Sequence, residues 1–212
     1  MAHSSANIQT TATITDAICE LPERNDRLLI AIAGPPGAGK STLAEAVVEN
    51  LCQKGKQACL LSMDGFHLDN RILQAHGTFA RKGSPETFDF AGFHHALMRL
   101  RQEATIYLPI FDRSQEIAIA GAYEVDEAAR IMIVEGNYLL LDEDPWRDLG
   151  KIWDMSVFLN PPLGILEERL TQRWLGYNYT AEAIQRKLSE NDLPNIHRVK
   201  ASILPCTYEF PD

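Results

Sequence analysis

The chain has 212 residues, 45% apolar and 23% charged, which is ordinary globular usage and excludes a disordered, collagenous or coiled-coil protein. Its formal net charge of −9 and pI of about 5.2 leave no basic stripe to displace phosphate counterions, so a nucleic acid partner is excluded as well. The acidity is uneven: residues 116–160 hold ten acidic and three basic side chains, whereas 161–200 hold five and six, so the second stretch can still meet an anion. Cys19, Cys52, Cys59 and Cys206 show no C-x-x-C spacing and no clustered histidines, and they read as buried thiols of a reducing compartment.

Residues 1–13 are small and polar and read as a loose tail, and 15–20 as a short helix ending before Pro22. Residues 1–25 thus precede a single domain at 26–212. They lack the charged start and long apolar block of a signal peptide, and the apolar run at 28–33 is far short of the roughly 20 residues of a membrane span. A cytoplasmic protein without membrane insertion is expected.

Residues 27–33 form an apolar run without alternation, as a strand buried on both faces does. Leu43, Val47 and Leu51 recur at helical spacing in 39–53. Strands are then predicted at 57–62, 105–111, 129–134, 152–159 and 207–210, and helices at 91–102, 163–174 and 181–190. Strands alternating with helices predict an α/β fold with a mostly parallel sheet.

Between the first strand and first long helix stands Gly34-Pro35-Pro36-Gly37-Ala38-Gly39-Lys40-Ser41, followed by Thr42. It matches G-x-x-x-x-G-K-[ST] at every position and in the required strand–loop–helix context. Glycines let the loop turn its N–H groups inward onto phosphate oxygens, and the helix N-terminus adds positive potential. Lys40 reaches the β- and γ-phosphates, and the Ser41 hydroxyl suits Mg²⁺. The motif implies a nucleoside triphosphate with Mg²⁺ at residues 34–42. A GTPase is disfavoured because no Asn-Lys-x-Asp is present.

Open parallel sheets bind ligands beyond the carboxyl ends of their strands. Asp64 follows the second strand and can take a proton from an acceptor hydroxyl. Glu135 stands where a Walker B acid would hold Mg²⁺. Arg169 and Arg173 share one helix face and can clamp phosphates during transfer. His67, Arg81, Lys82 and Asp89 lie in a long polar connection, and Asp112 and Arg113 follow another strand. As a set, these donors and acceptors suit a sugar-like polyol or a carboxylate.

Five blocks recur in order: residues 34–41, Met63-Asp64-Gly65-Phe66-His67-Leu68-Asp69-Asn70, Arg81-Lys82-Gly83-Ser84-Pro85-Glu86-Thr87-Phe88-Asp89, Leu108-Pro109-Ile110-Phe111-Asp112-Arg113 and Val134-Glu135-Gly136-Asn137-Tyr138. The chain therefore resembles, over about residues 28–201, the P-loop kinases of the uridine kinase, phosphoribulokinase and bacterial pantothenate kinase group. Its whole pattern is similar to small bacterial proteins provisionally called fructose-transport-system kinases. The resemblance implies a three-layer α/β/α fold with five central parallel strands, a helical lid at about 170–186, and a homodimer. It implies Asp64 as the base, with Lys40, Arg169 and Arg173 assisting, and Ser41 and Glu135 at the metal. His67, Arg81, Asp89, Asp112 and Arg113 are the implied acceptor contacts. Arg113 replaces the aromatic residue that stacks on the base in uridine kinases, and the chain is shorter than pantothenate kinases. The expected activity is transfer of the γ-phosphoryl group of ATP to a hydroxyl of a small metabolite, possible acceptors being a sugar such as fructose, pantothenate, glycerate or a nucleoside. The rival is an ATP-binding regulatory module of a transport system without transferase activity.

Overall fold

The structure, a computed structural model, describes residues 3–211; Met1, Ala2 and Asp212 lie outside the described residues. Five strands, β1 (Leu28–Ala33), β2 (Ala58–Ser62), β5 (Ile131–Gly136), β6 (Met155–Leu159) and β7 (Tyr208–Phe210), form one parallel sheet in the order β2-β5-β1-β6-β7. Successive β1 side chains point to opposite faces. Leu29, Ala31 and Ala33 enter a core with α4 (Phe90–Gln102), while Ile30 and Ile32 enter a second core with α2 (Lys40–Gln53), α5 (Leu163–Gly176) and α7 (Leu193–Ala201). The result is three layers, helix on sheet on helix. Helices on both faces explain the unbroken apolar runs of the central strands.

The amino-terminal segment differs from the expected loose tail and short helix. It is one helix, α1 (His3–Glu20), lying against α2. Ile14 and Ile18, four apart, are fully buried in the second core, and the Thr15 hydroxyl donates to the Thr11 carbonyl at 2.7 Å. Packing of this stripe outweighs the modest helix propensity of a Ser/Thr-rich string. Ile18→Ala is expected to lower unfolding free energy by roughly 2–4 kcal/mol in urea titrations; a loss below about 1 kcal/mol would mean that α1 is not part of the cooperative core.

The strand expected at 105–111 forms, but not in the central sheet. β3 (Ile106–Asp112) pairs antiparallel with β4 (Ile117–Val125) in a separate hairpin, with an irregularity in register around Pro109. The Pro109 carbonyl oxygen passes so close to Gly65 that a Cβ there would lie 2.5 Å from it. The hairpin is thereby seated on the short 3₁₀ turn Met63–Phe66 at the end of β2. The helix expected at 181–190 is α6 (Ala181–Lys187), which continues as a π-helical turn, Leu188–Asp192, into α7. The short helix α3 (Asn70–Ala75) lies in the long polar connection. The cysteines are free; Cys52 is exposed and the other three half-buried rather than buried.

Candidate active site

The loop between β1 and α2 lies at the carboxyl end of the sheet. Gly37 and Gly39 have φ of 81° and 89°, which L side chains rarely adopt, and these bends bring the chain into the first turn of α2. Helix α5 braces the loop from outside: a Cβ on Gly37 would meet Leu170 at 3.2 Å, and Arg169 donates to the Ala38 carbonyl at 3.5 Å. Gly34 and Pro35 are buried, Ser41 and Thr42 exposed. Pro36, Gly37, Lys40 and Ser41 line a cavity of about 640 Å³.

Lys40 is 8% exposed and donates from Nζ to the Pro35 carbonyl at 3.0 Å. Burial lowers its pKa to about 8, against the opposing pull of Glu135 and Asp64. Below that value Lys40 is cationic; above it the ammonium is lost and an anionic ligand loses its counter-charge. ATP affinity, measured by calorimetry from pH 6.5 to 9.5, is therefore expected to be flat below about pH 8 and to fall by up to about tenfold per pH unit above it. A flat profile to pH 9.5 would contradict a role for the Lys40 charge.

Four carboxylates line this cavity, and two of them, Glu135 and Asp64, act on the Lys40 charge. Glu135 is an interior residue of β5, paired in register with Ser62 of β2 and 5% exposed. Burial, then the neighbouring Asp64 charge, raise its pKa, while Lys40 and the Ser62 hydroxyl, which donates to Oε1, stabilise its anion. Asp64 sits in the first turn of the 3₁₀ segment, where its N–H donates to Ser62 Oγ at 3.2 Å. Ser62 thus joins the two acids. Sequence reasoning missed it, although its place just before Met63-Asp64 at a strand end was visible.

The acceptor contacts expected from sequence divide. His67 and Arg113 line the cavity. His67 Nδ1 lies 2.9 Å from the Asp64 carbonyl, which can only accept, so Nδ1 carries the proton and Nε2 is an acceptor. Its ring packs against Phe88 and Phe111, and burial lowers its pKa. Arg113 pairs with Asp64, Nη2 to Oδ2 at 2.5 Å. Asp112, Asp89 and Arg81 are not among the lining residues. Asp112 caps the hairpin turn by accepting from the Ser114 and Gln115 N–H groups, and Asp89 caps α4 by accepting from Gly92 N–H at 2.9 Å. Arg81 donates to the Glu190 carbonyl and to Asn195 Oδ1, tying its loop to the π turn.

Opposite the loop, Arg173 lines the cavity together with Trp174, Tyr177, Tyr179 and Lys187. The Lys187 ammonium stands 4.3 Å from the Trp174 ring centre, and the Trp174 indole donates to Asp192 at 2.8 Å. The sequence signal for this cluster was the bunching of aromatics at 174, 177 and 179.

Among the described residues, no group of three metal-ligand side chains occurs. The oxygens that the phosphate loop and the end of β5 offer a divalent cation in the cavity are the Ser41 hydroxyl and the Glu135 carboxylate. That sparse set fits Mg²⁺, which keeps waters and takes phosphate oxygens for its remaining positions.

Residues 29–187 match the phosphoribulokinase/uridine kinase family. The protein YggC of Escherichia coli K12 is 37% identical over 84% of this chain and 74% of its own length. A Schizosaccharomyces pombe protein provisionally named a uridine kinase is 32% identical over 87% and 83%. A crystal structure from Silicibacter sp. TM1040, provisionally called a fructose transport system kinase, superimposes with a TM-score of 0.91 at 43% identity, covering 95% of this chain and 98% of its own.

Proposed function

The chain belongs to the phosphoribulokinase/uridine kinase family of P-loop kinases, and from that premise we propose that it transfers the γ-phosphoryl group of ATP to a hydroxyl of a small metabolite of the sugar or hydroxy-acid kind. The observation that carries this reading is the juxtaposition of the phosphate loop, with its buried Lys40, and the Asp64 carboxylate in one cavity.

In this reading the loop N–H groups at 34–42 and the Lys40 ammonium hold the phosphates. Ser41 and Glu135 hold Mg²⁺. Bound MgATP supplies the transferable phosphoryl group and a cation that offsets its developing charge. Asp64 accepts the proton of the acceptor hydroxyl as its oxygen bonds to phosphorus and ADP departs. Arg173, and Arg169 against the loop, offset charge from the lid side, and closure of the segment at 170–186 excludes water that would otherwise compete for the phosphoryl group. His67 Nε2 is free to accept from a second hydroxyl. The cytoplasm is the proposed location, and no described helix is long and apolar enough to cross a membrane.

The relatives' names point to fructose for one and uridine for another. The test is coupled ADP release with MgATP across fructose and other sugars, pantothenate, glycerate, uridine and ribulose 5-phosphate. One acceptor should raise ADP release well above the acceptor-free rate. Saturable ATP binding with a flat rate across the panel would favour the regulatory module.

A further inference from the structure

Glu135 is 5% exposed near the end of β5, so its carboxylate can turn only where its neighbours allow. Among the described residues that carboxylate receives one hydrogen bond, from the Ser62 hydroxyl to Oε1. The pairing follows from the sheet. β2 and β5 run parallel with Ser62 directly opposite Glu135, so the two side chains leave the same face side by side.

The Ser62 hydroxyl is itself oriented. Its oxygen accepts the Asp64 N–H at 3.2 Å, where Ser62 caps the 3₁₀ turn Met63–Phe66. A serine hydroxyl has one proton, and with its oxygen facing the Asp64 N–H that proton goes to Glu135. The bonds therefore run in one direction, from the Asp64 backbone through Ser62 to Oε1. The charges of Asp64, Lys40 and Arg113 also act on Glu135, and the two cations would draw a loose carboxylate towards themselves. Instead Lys40 bonds the Pro35 carbonyl and Arg113 bonds Asp64. With Oε1 held, Oε2 has no hydrogen-bond donor among the described residues, in a cavity that Ser41 also lines.

We propose that Ser62 is a positioning residue for the divalent cation: its hydroxyl holds Oε1 of Glu135 and so keeps Oε2 for the metal that Ser41 also binds. This rests on the assignment of Glu135 to the cation in the kinase reading, and it names the group that aims that carboxylate.

The test reads metal binding without turnover. Mn²⁺, a cation that takes the same kind of oxygen ligands, is titrated into the protein–ADP complex, with free Mn²⁺ followed by electron paramagnetic resonance. The wild type, Ser62→Ala and Ser62→Thr are compared, and ADP affinity without metal is measured by calorimetry in a chelator. Ser62→Ala should weaken Mn²⁺ binding by about 10- to 100-fold, the usual effect of removing a partner that orients a metal ligand, with metal-free ADP affinity within about twofold of wild type. Ser62→Thr retains the hydroxyl and should recover most of the loss. In a Glu135→Ala background, Ser62→Ala should change Mn²⁺ affinity by less than about twofold, because its route to the metal is gone.

Mn²⁺ affinity of Ser62→Ala within about twofold of wild type overturns the inference. So does an equal loss of metal-free ADP affinity, which marks damage to the fold, or a further large loss in the Glu135→Ala background. Ser62→Thr as weak as Ser62→Ala overturns a role for the hydroxyl. The kinase reading fails separately: a flat ADP-release panel with the expected Mn²⁺ pattern removes that reading and supports the role of Ser62.

Discussion

Asp64→Asn should reduce acceptor-dependent turnover by roughly 10²- to 10⁴-fold while ATP still binds. The substitution keeps the shape of the side chain and an oxygen that Arg113 can reach, so the 3₁₀ turn and the hairpin seated on Gly65 stay in place. What it removes is the ability to accept a proton from the attacking hydroxyl. It also removes a negative charge that supports the Lys40 ammonium and opposes ionisation of Glu135. Two further changes therefore accompany the loss of turnover. The pH above which ATP affinity declines moves below about 8, and Glu135 ionises at a lower pH than in the wild type. Turnover within a few-fold of wild type would refute the base assignment. Unchanged turnover with a shifted pH profile would make Asp64 an electrostatic neighbour of Lys40 and nothing more.

The largest expected effect on stability lies at the other end of the sheet. Arg27, 5% exposed, precedes β1, and its guanidinium donates to five backbone carbonyls and to no carboxylate: Ala129, Leu100, Glu103, Ala104 and Asp126, at 2.5–2.8 Å. These acceptors belong to the end of α4, the segment after it, and the turn from β4 into β5. One side chain thus closes the carbonyl groups of three chain segments. Arg27→Met fills a similar volume but leaves all five without this donor, and a loss of roughly 3–5 kcal/mol is expected in urea unfolding. Arg27→Lys should recover little, because three donors on one nitrogen cannot match the planar fork. A loss under about 1 kcal/mol for Arg27→Met would contradict this account.

The central sheet was legible because burial on both faces writes itself as apolar runs. Residues 27–33 and 129–134 could be read as strands within a few residues of β1 and β5. Periodicity alone could not assign strands to sheets. The run at 105–111 resembles the central strands in composition, yet its partner β4 alternates Ile117, Ile119, Tyr123 and Val125 with exposed residues, the pattern of a half-buried hairpin strand, which went unread. The first helix was hidden for a related reason: two isoleucines carry its buried stripe among threonines and alanines.

At the site, motif and strand-end position brought out Lys40, Ser41, Asp64, Glu135 and Arg113, which share the cavity. Asp89, Asp112 and Arg81 were read as acceptor contacts because a charged residue in a polar loop looks the same whether it meets a ligand or caps a turn. Only the backbone shows that Asp89 and Asp112 satisfy N–H groups of their own segments. Ser62 escaped because its partner Glu135 is distant in sequence, and the aromatics at 174, 177 and 179 because their bunching does not by itself say that they face the cavity.

The most direct measurement follows the phosphoryl group itself. ATP labelled with ¹⁸O on the γ-phosphate is incubated with the protein, Mg²⁺ and a small-molecule extract, and the products are resolved by mass spectrometry for wild type and Asp64→Asn. The account predicts label in a new phosphomonoester that the wild type makes and the variant does not. Label confined to ATP and inorganic phosphate, with ATP demonstrably bound, would contradict it.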